Sequence, residues 1–93
     1  MRKYELMVVF PVEEDRFKSS AEAVRKVLAD YGVQIEGEEP YGDRDLSYEI
    51  KKQKKGRYLL FNIKAAPEKI VEIDRQFKLI GDLLNFLFVR VEE

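Results

Sequence analysis

The sequence has no cysteine and no histidine. Without cysteine there is no disulfide, no thiolate metal ligand and no thiol nucleophile. Without histidine, the commonest general base near neutral pH and the commonest metal ligand are missing as well. These absences argue against most small enzymes, and no cofactor or metal is expected. Long apolar runs are also lacking. None approaches the ~20 residues that a membrane-spanning helix needs, and no basic start leads into an apolar run of signal-peptide type. The expectation is a soluble cytoplasmic protein. Nor does one sign of charge dominate, since 17 basic and 18 acidic residues leave a formal net charge of −1.

What is present suffices for one core. The 93 residues are 45% hydrophobic and 12% aromatic, and a chain of this size buries roughly 60 to 65% of its unfolded surface on folding. A single domain over residues 1–93 is therefore expected. Tyr4, Leu6, Val8 and Phe10 alternate with Glu5, Met7 and Val9, a strand that Pro11 ends. Phe17, Ala21, Val24, Leu28 and Tyr31 form the stripe of an amphipathic helix over roughly 13–31, with Gly32 at its exit. Val33 and Ile35 begin a second strand, which bends at Gly37 to Gly42 and resumes at Leu46, Tyr48 and Ile50. Pro40 assigns it to a sheet edge. A third strand runs from Arg57 to Ala65. Pro67 opens a second helix with Ile70, Ile73, Phe77 and Ile80 on its stripe, and Gly81 marks its end. Phe86 and Phe88 then alternate with Leu87 and Val89 in a fourth strand closing the chain at Arg90 to Glu93.

The order strand, helix, strand, strand, helix, strand predicts an α+β fold, the ferredoxin-like split βαββαβ sandwich. Two helices would cover one face of a four-stranded antiparallel sheet. Right-handed crossovers give a strand order of four, one, three, two. Leu6, Val8, Phe10, Leu59, Phe61, Ile63, Phe86 and Phe88 would face the helices. The opposite face then carries Met7, Val9, Tyr58, Leu60, Leu87 and Val89, an apolar patch with no further layer to cover it, which suits a protein partner.

Between Ile50 and Tyr58, five of seven residues are basic: Lys51, Lys52, Lys54, Lys55 and Arg57. With Gly56 supplying a turn, the expectation is a hairpin whose tip is a cationic loop. Most charge runs are simply solvated, and lysines at sheet edges oppose aggregation. Grouping of Lys52, Lys54, Lys55 and Arg57 with Arg2, Lys3, Arg44 and Arg90 would instead favour contact with phosphates.

Two stretches resemble a known family. The start Met1-Arg2-Lys3-Tyr4-Glu5, and Tyr41-Gly42-Asp43-Arg44-Asp45-Leu46-Ser47-Tyr48-Glu49-Ile50-Lys51-Lys52 followed by Gly56-Arg57-Tyr58, are similar to the bacterial small-subunit ribosomal protein six family. The resemblance implies the split βαββαβ fold. It implies binding to the central domain of small-subunit ribosomal RNA, as a heterodimer with the eighteenth small-subunit protein. Arg2, Lys3, Tyr4, Arg44, Lys52 and Arg90 would then face RNA or partner, and Tyr58, Leu60, Leu87 and Val89 the protein partner. Tyr41 stands where a Trp is common, Ser47 replaces an Ala, and Asp45 and Asn85 occupy positions that are often basic.

Other readings fit less well. An RNA-recognition domain with stacking aromatics on its third strand would need rings where Lys55-Gly56-Arg57-Tyr58-Leu59-Leu60-Phe61 has Arg57 and Leu59. A phosphatase on the same fold would need a cationic cradle after the first strand, where Glu13, Glu14 and Asp15 would repel phosphate. A small-molecule regulatory domain of similar topology stays open.

Overall fold

The computed structural model describes residues 1–91; the expected end of the last strand at Glu92 and Glu93 lies outside the described residues. The elements are β1 (Arg2–Phe10), α1 (Glu14–Asp30), β2 (Gln34–Ile50), β3 (Gln53–Ala65), a short 3-10 turn (Pro67–Lys69) leading into α2 (Ile70–Lys78), and β4 (Asn85–Arg90). The sheet is antiparallel with the order β2-β3-β1-β4, the topology expected from the sequence. β1 and β3 lie in the middle, which is why both are apolar on two faces.

α1 starts where Glu13 caps it. Its carboxylate accepts from the backbone N–H of Asp15 at 3.1 Å and of Arg16 at 3.0 Å, a task usually given to shorter side chains. Beyond the helix, Gly32 takes φ +71°, which an L side chain rarely adopts. The stripe predicted for α1 buries Ala21, Val24 and Leu28. They meet Leu6, Val8, Phe10, Phe61 and Ile63 from the sheet and Ile73 and Phe77 from α2. Phe77 stacks on Phe88 at 5.9 Å and meets Phe86 edge-on at 5.2 Å, fixing β4 to α2. α2 itself ends at Lys78, so Ile80 and Gly81 belong to the turn after it rather than to the helix.

β2 departs furthest from simple alternation. Its register with β3 shifts between Ile35 and Gly37, between Pro40 and Gly42, and between Asp45 and Ile50. At the last shift residues 46–49 stand opposite Lys54 alone, because Asp45 pairs with Lys55 and Ile50 with Gln53. The expected half-buried face of Leu46, Tyr48 and Ile50 is thus broken: Tyr48 is 76% exposed while Leu46 and Ile50 are half-buried.

Candidate nucleic-acid interface

The basic segment is not a loop. Lys54, Lys55 and Gly56 lie inside β3, and the turn consists of Lys51 and Lys52 alone, with φ of 50° and 66°. Such a left-handed pair usually contains glycine, and each lysine here costs roughly 1–2 kcal/mol. Gly56 has another purpose. A Cβ there would collide with Cγ1 of Val9 and come within 3.2 Å of Leu46 Cδ2 and 3.8 Å of Leu84 Cδ1. The missing side chain lets three apolar residues gather over the sheet at the end of β1.

That gathering changes the open face. Val9 and Leu60, expected to be uncovered, are each only 6% exposed. Met7 and Tyr58 are half-buried, whereas Leu87 at 62% and Val89 at 46% remain open on the edge strand β4. The chain supplies part of its own cover, from the bulge of β2 and from Leu84, and leaves the β4 side bare.

The cations divide into groups. Arg44 lies on the open face, its guanidinium 5.9 Å from the centroid of the Tyr58 ring and its Nε donating to the carbonyl of Tyr41 at 3.3 Å. Lys52, Lys54 and Lys55 are exposed along the hairpin nearby. Arg2, Lys3 and Arg90 are exposed at the other end of the sheet, where Arg2 pairs with Ala65 and Arg90 with Tyr4. Phe10 pairs with Arg57, so the two ends are eight residues apart along β1, or roughly 26 Å at the rise of a strand. The cations thus form two groups rather than the one grouping that would have favoured phosphate contact over a solvated charge run.

Two residues expected at the RNA surface are occupied inside the chain. Tyr4 is 9% exposed and packs edge-on against Phe88 at 6.5 Å, because it shares the helix-facing side of β1 with Leu6 and Val8. Arg57 also faces that side. Its Nε and Nη2 donate to the two carboxylate oxygens of Asp43 at 2.8 and 3.2 Å, its Nη1 to Glu14 at 3.3 Å, and its guanidinium lies 4.6 Å over the ring of Phe17. Hydrogen bonding to Arg57 holds the Asp43 carboxyl below the usual range and drives the guanidinium further up.

The acidic stretch ahead of the hairpin is largely neutralised. Glu38 accepts from Arg25 at 2.7 and 3.0 Å, which lowers its pKa, and Lys64 lies 3.5 Å from Glu36. Asn62 donates to Glu39 at 3.2 Å. Asp45 has no side-chain partner among the described residues.

One lysine contact was invisible in the sequence. Lys51 Nζ donates to the carbonyls of Gly81 at 2.9 Å and Leu83 at 2.6 Å, more than thirty positions down the chain for the latter. No local pattern signals a contact of that separation. Among the described residues no group of acidic side chains is placed to hold a metal ion, and no helix is long and apolar enough to cross a membrane.

The fold also occurs in solved structures. The crystal structure of 30S ribosomal protein S6 from Thermotoga maritima superposes with a TM-score of 0.83, over 97% of this chain and 87% of that one, at 22% identity. The C-terminal domain of the MgtC protein from Mycobacterium tuberculosis has a TM-score of 0.65 at 8% identity, covering 100% of this chain and 90% of that one, so the fold alone is not diagnostic. Sequence decides. The family model described as ribosomal protein S6 matches residues 3–90. The chain belongs to the ribosomal protein S6 family. It is 62% identical to the small ribosomal subunit protein bS6 of Treponema denticola over 93 residues, the full length of both. It is 48% identical over 92 residues to that of Treponema pallidum strain Nichols, with 99% of each chain covered. As an S6 protein it is a structural, non-enzymatic constituent of the small ribosomal subunit, located with the ribosome in the bacterial cytoplasm.

Proposed function

We propose that the chain, acting as a single domain, binds the central domain of small-subunit ribosomal RNA as a heterodimer with the eighteenth small-subunit protein. One observation carries this reading: the sheet face that no helix covers holds both the cation of Arg44, over Tyr58 near the β2 edge, and a strip of exposed apolar side chains on the opposite edge strand β4. Phosphates suit the first, and a protein surface suits the second. RNA contact is assigned to Arg2, Lys3, Arg44, Lys52, Lys54, Lys55 and Arg90. Partner contact is assigned to Met7, Tyr58, Leu87 and Val89, with Val9 and Leu60 forming the packed floor beneath them. Tyr4 and Arg57 take structural roles instead, since one ring is buried and the other side chain is engaged by two carboxylates.

The test is a titration of a central-domain RNA fragment with the chain, with the eighteenth protein, and with both. Joint presence should tighten RNA binding about tenfold or more, equivalent to ~1.4 kcal/mol of coupling. No gain would sink the heterodimer reading. Absence of binding by the pair would sink the RNA reading too.

A further inference from the structure

Beyond Gly56 the hairpin leaves the body of the sheet. The pairing of β1 with β3 ends at Arg57, so residues 44–56 form a two-stranded arm with no third strand beside it. A ribbon of this kind is marginal alone. This one is further weakened by the four-residue bulge at 46–49 and by left-handed φ angles at Lys51 and Lys52. It also bears four of the cations assigned to RNA, Arg44 at its base and Lys52, Lys54 and Lys55 further out.

Arg44, Leu46 and Gly56 hold the base of this arm, and Lys51 ties its far end to the rest of the chain. Two of the three donors of its ammonium go to the carbonyls of Gly81 and Leu83. That receiving segment is itself anchored. Arg16 of α1 donates to Asp82 Oδ1 from Nε at 3.2 Å and from Nη2 at 3.0 Å, and the N–H of Leu84 donates to the carbonyl of Val9 at 3.0 Å. The arm is thus tied to a stretch of backbone held by both α1 and β1. From its place in the basic run Lys51 looks like one more phosphate ligand, yet its ammonium is engaged by two backbone carbonyls.

We infer that Lys51 is a positioning residue, whose ammonium latches the arm to the carbonyls of Gly81 and Leu83 and so aims Lys52, Lys54 and Lys55 at RNA. The inference rests on the RNA contact proposed above. Loosening the latch leaves every other RNA-facing side chain in the molecule, but lets the arm sample orientations in which its cations miss the phosphates.

The experiment compares the full chain with its Lys51→Met, Lys51→Arg and Lys52→Met variants. Amide hydrogen exchange over residues 44–56 and affinity for the central-domain RNA fragment across a range of salt are measured for each. Lys51→Met should speed exchange in the arm about tenfold, with β1 unchanged, as expected for losing charge-assisted hydrogen bonds. Its RNA affinity should fall severalfold at a temperature where the chain is fully folded. Lys51→Arg, which keeps donors for both carbonyls, should restore slow exchange and affinity. Lys52→Met should leave exchange alone and flatten the salt dependence by ~0.7 to 0.9 of a log unit per log unit, the mark of one lost phosphate contact. Unchanged exchange in Lys51→Met overturns the latch. Faster exchange with full RNA affinity overturns its positioning role. If the unaltered chain pair fails to bind RNA, the proposed function fails and the aiming role with it, while the exchange rates still decide whether the latch exists.

Discussion

The guanidinium of Arg44 stands over the ring of Tyr58 at 5.9 Å, setting a cation on the sheet face opposite the helices. Arg44 pairs across the strands with Gly56, two residues before Tyr58, so the stacking follows from register. An exposed contact of this type contributes only about 0.5–1 kcal/mol. Replacing Arg44 with Ala should therefore move the thermal midpoint by a few degrees at most, and weaken RNA binding by considerably more. A large drop in the midpoint would make Arg44 a structural residue.

Gly56→Ala should destabilise the chain by roughly 1–3 kcal/mol, since the added methyl meets Val9 in a filled space. Chemical denaturation gives the value directly. Combining it with Val9→Ala should recover part of the loss, because the second change removes the colliding Cγ1. Simple additivity of the two losses would show that the crowding lies elsewhere.

On the open face, two leucines should respond differently to the same substitution. Leu87 is 62% exposed and Leu60 6%. Leu87→Glu should abolish pairing with the eighteenth protein at nearly unchanged stability. Leu60→Glu should unfold a large part of the population, because it buries a carboxylate without a partner. Calorimetry of the free chain and a pull-down with the partner separate the two effects.

Stability should fall in acid. The carboxyls of Asp43 and Glu38 lie below their ordinary values of 3.8 and 4.5 in the folded chain, chiefly through hydrogen bonds from Arg57 and Arg25. Unfolding therefore takes up protons as the pH drops through the range below those ordinary values. The stabilisation is complete above it and disappears as pH falls through the folded values. Both pairs are partly open to solvent, which screens them, so each contributes about 0.2–1 kcal/mol. Asp43→Asn combined with Glu38→Gln should lower the denaturation midpoint near neutrality and flatten the acid limb; a limb of unchanged slope would locate the proton uptake at other groups.

Lys52→Gly should raise stability by about 0.4–1 kcal/mol, since glycine takes positive φ without the strain a lysine bears. Thermal unfolding measures it.

Alternation and helical stripes made the fold legible. Leu6, Val8 and Phe10 could only be the inner face of a strand, and Ala21, Val24 and Leu28 the inner face of a helix. The strand order followed from handedness. The hairpin was misread because Gly56 looks like a turn residue, yet here glycine answers a steric demand from Val9, a residue nearly fifty positions away. Tyr4 and Arg57 looked like surface groups by type. What determines their place is parity: both fall on the helix-facing side of their strands, one in the core and the other above Phe17. Lys51 differs from its neighbours only through its carbonyl partners, which no local pattern reveals.

The exposed cations fall into two groups, one at the Arg2 end of the sheet and one on the arm beyond Arg57, and β1 between them spans roughly 26 Å by strand rise. On the RNA contact proposed above, a molecule charged in this way would act as a bivalent ligand. An RNA that reaches both ends gains from the second contact as an intramolecular step, whereas a short hairpin engaging one end binds with that end's affinity alone. Discrimination among RNAs would then come from the spacing of their phosphates in three dimensions, so that a correctly folded junction should be preferred over the same nucleotides unfolded, with no base needing to be read.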